Sequence, residues 1–88
     1  MKLYKYKNDR CNISGEKIKE YREKSGFSQE QLAAKLQLVG LNLNQKAISR
    51  IETGDRVVPD FELLYFSEIF RVPVTALLDW DGEFTSCI

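Results

Sequence analysis

Residues 44–56 read NQKAISRIETGDR, and the rest of the chain is best understood outward from them. Wound as a helix, this stretch puts Gln45, Lys46, Ser49 and Arg50 on one side and Ile48 and Ile51 on the other. Asn44 is a good N-cap, and Gly54 suits the left-handed residue that stops a helix. The product is a short helix with an apolar back and a front of long hydrogen-bonding side chains. A solvated surface helix would show the same face. The alternative use is base reading, because Gln pairs two-pronged with adenine and Arg or Lys with guanine N7 and O6.

The flanking segments bear on that choice. Upstream, Ser28 followed by Gln31 is a capping box, with Phe27 placed as a hydrophobic staple. Leu32 and Leu36 then form a stripe, and the small Ala33 and Ala34 allow another helix to approach closely. This second helix fades into QLVGLNL, where Gly40 marks a bend. Before it, a first helix is expected from Ser14, capped by that serine and favoured by Glu16 in its first turn. Ile18, Tyr21 and Arg22 share its inner face, and Gly26 ends it. Downstream, DRVV is a loop. Pro59 and Asp60 open a fourth helix running to about Phe70, ahead of Pro73, and a fifth follows from Val74 to Asp79. Two helices joined by a turn containing glycine, the second with a polar front, make a helix-turn-helix, and the major groove admits one such helix.

The expected class is therefore all-α, a compact bundle of five short helices that packing must hold together. Residues 1–13 form an N-terminal arm, 14–79 the helix-turn-helix DNA-binding domain and 80–88 a C-terminal tail. The arm begins MKLYKYK and suits a free arm, a short edge strand or disorder.

Composition narrows the function. Eighty-eight residues make one domain, 43% hydrophobic and 30% charged. No apolar run approaches the ~20 residues that span a bilayer, and no apolar segment follows the basic start, so a cytoplasmic protein is expected. Cys11 and Cys87, with no histidine in the chain, cannot complete a zinc site and are expected to be ordinary thiols. The net charge of zero hides an asymmetry. Residues 1–58 hold twelve basic and seven acidic side chains, and residues 59–88 hold one and six, so +5 faces −5. That division suits a basic face for a polyanion, although scattered solvated charges would also produce it. An enzyme is not expected: no histidine serves acid–base work, no nucleophile has a base at a familiar spacing, and no glycine-rich phosphate loop occurs. Neither a cofactor, a metal nor a small-molecule substrate is implied.

The stretch KIKEYREKSGFSQEQLAAKL, then NQKAISRIETGDRVVPDFELL, then VPVTALL, resembles the lambda-repressor-like, Cro-type helix-turn-helix family, also called the XRE family, over roughly residues 15–79. The resemblance implies a five-helix fold whose second and third helices bind double-stranded DNA. It implies base reading by Gln45, Lys46, Ser49 and Arg50, with Asn44 at the edge of the same surface. It places Gln29, Asn44, Thr53 and Arg56 against phosphates, and it pairs Arg22 with Glu52 between the first helix and the end of the third.

One departure from the family is visible. About five additional residues lie between the two key helices, in LQLVGLNLN. Leu38, Val39, Leu41 and Leu43 suggest that this segment packs, with Leu43 in the core, and Asn42 is a weaker candidate for a phosphate. The fourth helix raises a second point. Leu63, Phe66 and Phe70 form a core stripe, yet Phe61, Leu64, Tyr65 and Ile69 are apolar too. The additional face is covered by the inserted segment and the arm, or it forms a homodimer interface involving helices four and five with Trp80 and Phe84. The expected function is a sequence-specific transcriptional regulator, most simply a repressor acting as a dimer on a palindromic operator. An antitoxin-like interaction module with autoregulatory DNA binding is the alternative.

Overall fold

The structure is a computed structural model, described over residues 9–78. Among these residues the chain is all-helical: α1 (Gly15–Lys24), α2 (Gln29–Leu38), α3 (Gln45–Thr53), α4 (Asp60–Phe70) and α5 (Val74–Leu77). The last helix stops two residues short of the expected end, and Asp79, Trp80, Phe84 and Cys87 lie outside the described residues. No described residue is in a strand, so Asp9–Ile13, the described end of the arm, is not an edge strand.

The helices begin and end largely as the local sequence dictates. Ser28 Oγ accepts from Gln31 N at 3.0 Å while Gln31 Oε1 accepts from Ser28 N at 2.8 Å, completing the capping box of α2. Asn44 Oδ1 accepts from Ala47 N at 2.8 Å and caps α3. α1 departs from expectation. Ser14 is buried and makes no side-chain capping bond. Asn12 takes the role from two residues farther out, its Oδ1 accepting from Gly15 N at 2.8 Å. Ser14 has helical backbone angles (φ −82°, ψ −15°) rather than the extended ones of a side-chain cap, so its hydroxyl does not reach the free amides. At the other ends, α1, α2, α3 and α4 close with the same pair of bonds, for example Asp55 N to Arg50 O and Gly54 N to Ile51 O in α3. Gly26, Gly40 and Gly54 supply the left-handed residue in three of them, and Arg71 (φ 58°) supplies it in α4.

The core gathers Ile18 of α1, Leu32, Ala33 and Leu36 of α2, Ile48 and Ile51 of α3, Leu63 and Phe66 of α4 and Leu77 of α5. α1 packs on α3, α4 and α5, while α2 packs on α3 and α4. Phe70 stacks on Phe66 and on Tyr21 of α1, with ring centroids 6.4 and 5.9 Å apart.

The inserted segment is a pinned link. Leu41 N donates to Leu36 O at 2.9 Å, and Gln37 Nε2 donates to Leu43 O at 3.0 Å. Leu41 and Leu43 enter the core with Asn42 outside between them, the alternation of an extended chain. Leu38 and Val39 do not pack as expected. Leu38 is 86% exposed, because it occupies the outer side of the last turn of α2 while Leu36 takes the inner side.

One glycine is required by packing alone. A Cβ on Gly15 would overlap the backbone carbonyl oxygen of Ile51 and approach Asn12 Oδ1 and the Arg10 guanidinium, so α1 begins against the end of α3 only because no side chain intervenes. Gly15→Ala is therefore expected to destabilise the fold by about 1–3 kcal/mol, as other overpacked sites do, despite the better helix propensity of alanine. Chemical denaturation of the two proteins reads the difference, and equal stability would show that the two helices can separate without cost.

Candidate nucleic-acid interface

α3 is amphipathic in the literal sense. Ile48 and Ile51 are fully buried, while Gln45, Lys46, Arg50 and Thr53 are exposed and Ser49 is half-buried. Asn44 and Asn42 are exposed just ahead of the helix. The front of α3 lies beside the N-terminus of α2, where Gln45 meets Gln29, and a helix N-terminus favours anions.

A chain of polar side chains ties these two ends to α1. Glu52, buried on the inner side of α3, accepts from Arg22 Nε at 2.7 Å and from Arg22 Nη2 at 3.1 Å. This two-pronged contact is the strong geometry for arginine and carboxylate. The hydrogen bonds to Glu52 raise the Arg22 pKa above its ordinary value, against the opposing effect of burial. Arg22 Nη1 also donates to Phe27 O at 2.8 Å, so the same guanidinium holds the turn before α2. Glu52 Oε1 accepts a third bond, from Gln29 Nε2 at 3.0 Å, and Gln29 Oε1 accepts from Gln45 Nε2 at 2.9 Å. Gln29 and Gln45 are thereby oriented from the interior. Gln45 is left with its carbonyl oxygen and one amide proton, the acceptor and donor that a two-pronged contact with adenine N6–H and N7 uses.

The remaining candidates are placed less simply. Arg50 is exposed and reaches back only to Asp55 O, at 3.4 Å. Thr53 Oγ1 lies 3.0 Å from Asp55 Oδ2 and 3.2 Å from Arg50 O, so its one proton serves either. Arg56 is engaged: Nη1 and Nη2 donate to the two oxygens of buried Glu62 at 2.7 and 3.1 Å, and Nη1 also donates to Val57 O at 3.0 Å. The Glu62 hydrogen bonds raise the Arg56 pKa, again against burial. Arg56 thus closes the loop between α3 and α4, and Glu62 cancels part of the charge it would offer a phosphate.

Sequence reasoning missed Glu62, which reads as an ordinary first-turn acid on α4, and it missed Arg10 and Asn12. Those two residues of the arm reach the C-terminal end of α3. Arg10 Nη2 donates to Glu52 O at 3.0 Å, and Asn12 Nδ2 donates to Ile51 O at 3.0 Å and to Arg56 O at 2.7 Å. No periodicity or spacing announces them. Among the described residues, no group of histidine, cysteine, aspartate or glutamate is arranged to hold a metal, and no helix is long and apolar enough to cross a membrane.

Compared with known proteins, the helix-turn-helix family model matches residues 18–77, about two thirds of the chain and all of α2, α3 and α4. No curated protein and no solved structure gives a significant match.

Proposed function

We propose, from the premise that this chain belongs to the helix-turn-helix family of Cro- and lambda-repressor-like DNA-binding regulators, that it is a sequence-specific repressor which docks α3 in the major groove. The observation that carries this reading is the polar chain running from Arg22 through Glu52 and Gln29 to Gln45, which presents an oriented amide at the tip of a helix whose back is fully buried. Base edges are read by Gln45, Lys46, Ser49 and Arg50. Gln29 and Asn44, at the starts of α2 and α3, sit against phosphates on either side of the groove, with Thr53 and the exposed edge of Arg56 on the backbone beyond. The protein acts in the cytoplasm.

Its operator is a palindrome bound by two copies. Support comes from α4, where Phe61 and Leu64 share one face and are 54% and 58% exposed, with Val57 exposed just before the helix. The inserted segment lies near Tyr65 instead, its Gly40 about 4.0 Å from the Tyr65 hydroxyl when measured from an added Cβ. Two copies meeting through α4 and α5 would place their α3 helices on successive major grooves, about 10 bp apart.

Selection of bound duplexes from a random pool tests the whole reading: the expected result is a two-fold symmetric motif with half-sites one helical turn, or a multiple of it, apart. Arg50→Ala is expected to cost about 1–3 kcal/mol on the selected site and to relax preference at one base pair of each half-site. Titration of the variant against the selected duplex and its single-base changes measures this. Recovery of no motif, or an Arg50→Ala protein with unaltered selectivity, would remove α3 from the groove.

A further inference from the structure

α3 has nine residues and the last four carbonyls of any helix lack partners within it. Asp55 N and Gly54 N serve Arg50 O and Ile51 O from the turn itself, and further donors to this end come from residues 10–12. Arg10 Nη2 lies 3.0 Å from Glu52 O and 3.4 Å from Ile51 O. Asn12 Nδ2 donates to Ile51 O and to Arg56 O, and Cys11 N donates to Gly54 O at 2.7 Å. The cationic guanidinium also sits at the negative end of the helix dipole. Two glycines make room for this arrangement. A Cβ on Gly54 would fall 2.9 Å from Arg10 Cγ and Cζ, and one on Gly15 would meet Ile51 O. Arg10 Nε is buried with no partner, so the guanidinium is aimed at the α3 carbonyls even though one of its own donors goes unsatisfied.

From this we infer that Arg10 and Asn12 are positioning residues for DNA reading: the segment before α1 clamps the rear of α3 and so sets the angle at which its front enters the groove. The inference rests on the docking of α3 given under Proposed function. The rear of α3 is held by buried and part-buried bonds from Arg10 and Asn12, whereas the polar contacts at its front, the Asn44 cap and the Gln29–Gln45 bond, are exposed. Gln45 and Glu52 are seven residues apart, about 10 Å along the axis. A tilt of about 10° at the rear therefore moves the tip by about 2 Å, which takes a side chain out of the narrow distance range of a base hydrogen bond. Neither residue reads a base. They act through the helix they hold.

The test uses the full chain, the selected duplex and a random-sequence duplex of equal length, over a series of salt concentrations. Arg10→Met removes the clamp, Arg10→Lys keeps a cation that can meet one carbonyl, and Asn12→Ala changes no charge. Arg10→Met and Asn12→Ala are expected to lose about tenfold on the selected duplex, the scale of one misaligned base contact, while binding to random duplex and the salt slope stay as in the parent. Arg10→Lys should recover most of the loss. In the free variants, amide exchange should accelerate at Cys11 and Gly54 before it does in the core. Equal losses on both duplexes, with the salt slope reduced by about one, would make Arg10 a phosphate ligand and overturn the inference. Faster exchange at Cys11 and Gly54 with unchanged discrimination would overturn it as well, leaving the clamp a local staple. If Asn12→Ala fails to fold, the Arg10 pair decides alone. A parent protein with no sequence preference would sink the docking of α3 itself, an outcome distinct from a selective parent whose variants are equally selective.

Discussion

Glu52→Ala should lower the stability of this protein by about 3–5 kcal/mol, the cost of removing one partner from a buried ion pair. Arg22 is only 12% exposed and would keep its charge with only the exposed carboxylate of Glu23, 4.0 Å away, near it. Gln29 Nε2 would lose its acceptor at the same time. Domains are typically stable by about 5–15 kcal/mol, so the loss is a large share of the total. At about 4–8 °C per kcal/mol for a domain of this size, the thermal midpoint should fall by at least 12 °C. Thermal and urea unfolding of the two proteins measure it. Replacing both residues, as Arg22→Met with Glu52→Met, should restore most of the stability, because apolar side chains of similar size often serve a buried site as well as the ions did. A loss below about 1 kcal/mol for Glu52→Ala would instead mean that the pair behaves as an exposed one. The double variant also separates two roles of the pair: it leaves Gln29 without its anchor, so a stable protein with reduced operator selectivity is the expected product.

Phe66→Ala should cost a similar amount, about 3–5 kcal/mol, through a different cause. Phe66 is the largest fully buried side chain in the described chain and stacks on Phe70, which in turn stacks on Tyr21. Truncation removes the transfer free energy of the ring and leaves a cavity on the buried side of α4, the helix that packs on α1, α2 and α5. Urea denaturation reads the loss. The variant that remains folded in the cold should bind the selected duplex with little change, since Phe66 touches none of the proposed reading residues. A small cost would show that α4 moves inward to close the space.

Much of this architecture was legible from short-range pattern. The capping box at Ser28, the Asn44 cap, the stop at Gly54 and the opposition of Ile48 and Ile51 to Gln45 and Arg50 are each written within four or five residues. Leu43 was expected in the core because the inserted segment is rich in apolar residues, and it is buried. The same reasoning misassigned the cap of α1 to Ser14, because a serine before a helix is an eligible acceptor whether or not its backbone lets it turn toward the amides. It also expected Leu38 and Val39 to pack, since an apolar residue on the last turn of a helix reads alike on either side.

Contacts across long separations were not legible. Asn12 and Ile51 are 39 residues apart, and Arg10 and Glu52 are 42 apart. By itself, the amino-acid sequence determined where helices start, where they stop and which side of each turns inward, because those choices depend on steric and hydrogen-bond preferences among near neighbours. Tertiary structure alone decided which donors reach the open carbonyls of α3 and which carboxylate neutralises Arg56. Such partners are selected by burial, where every unpaired polar group is costly, and the identity of the neighbour that relieves it depends on how the helices are stacked.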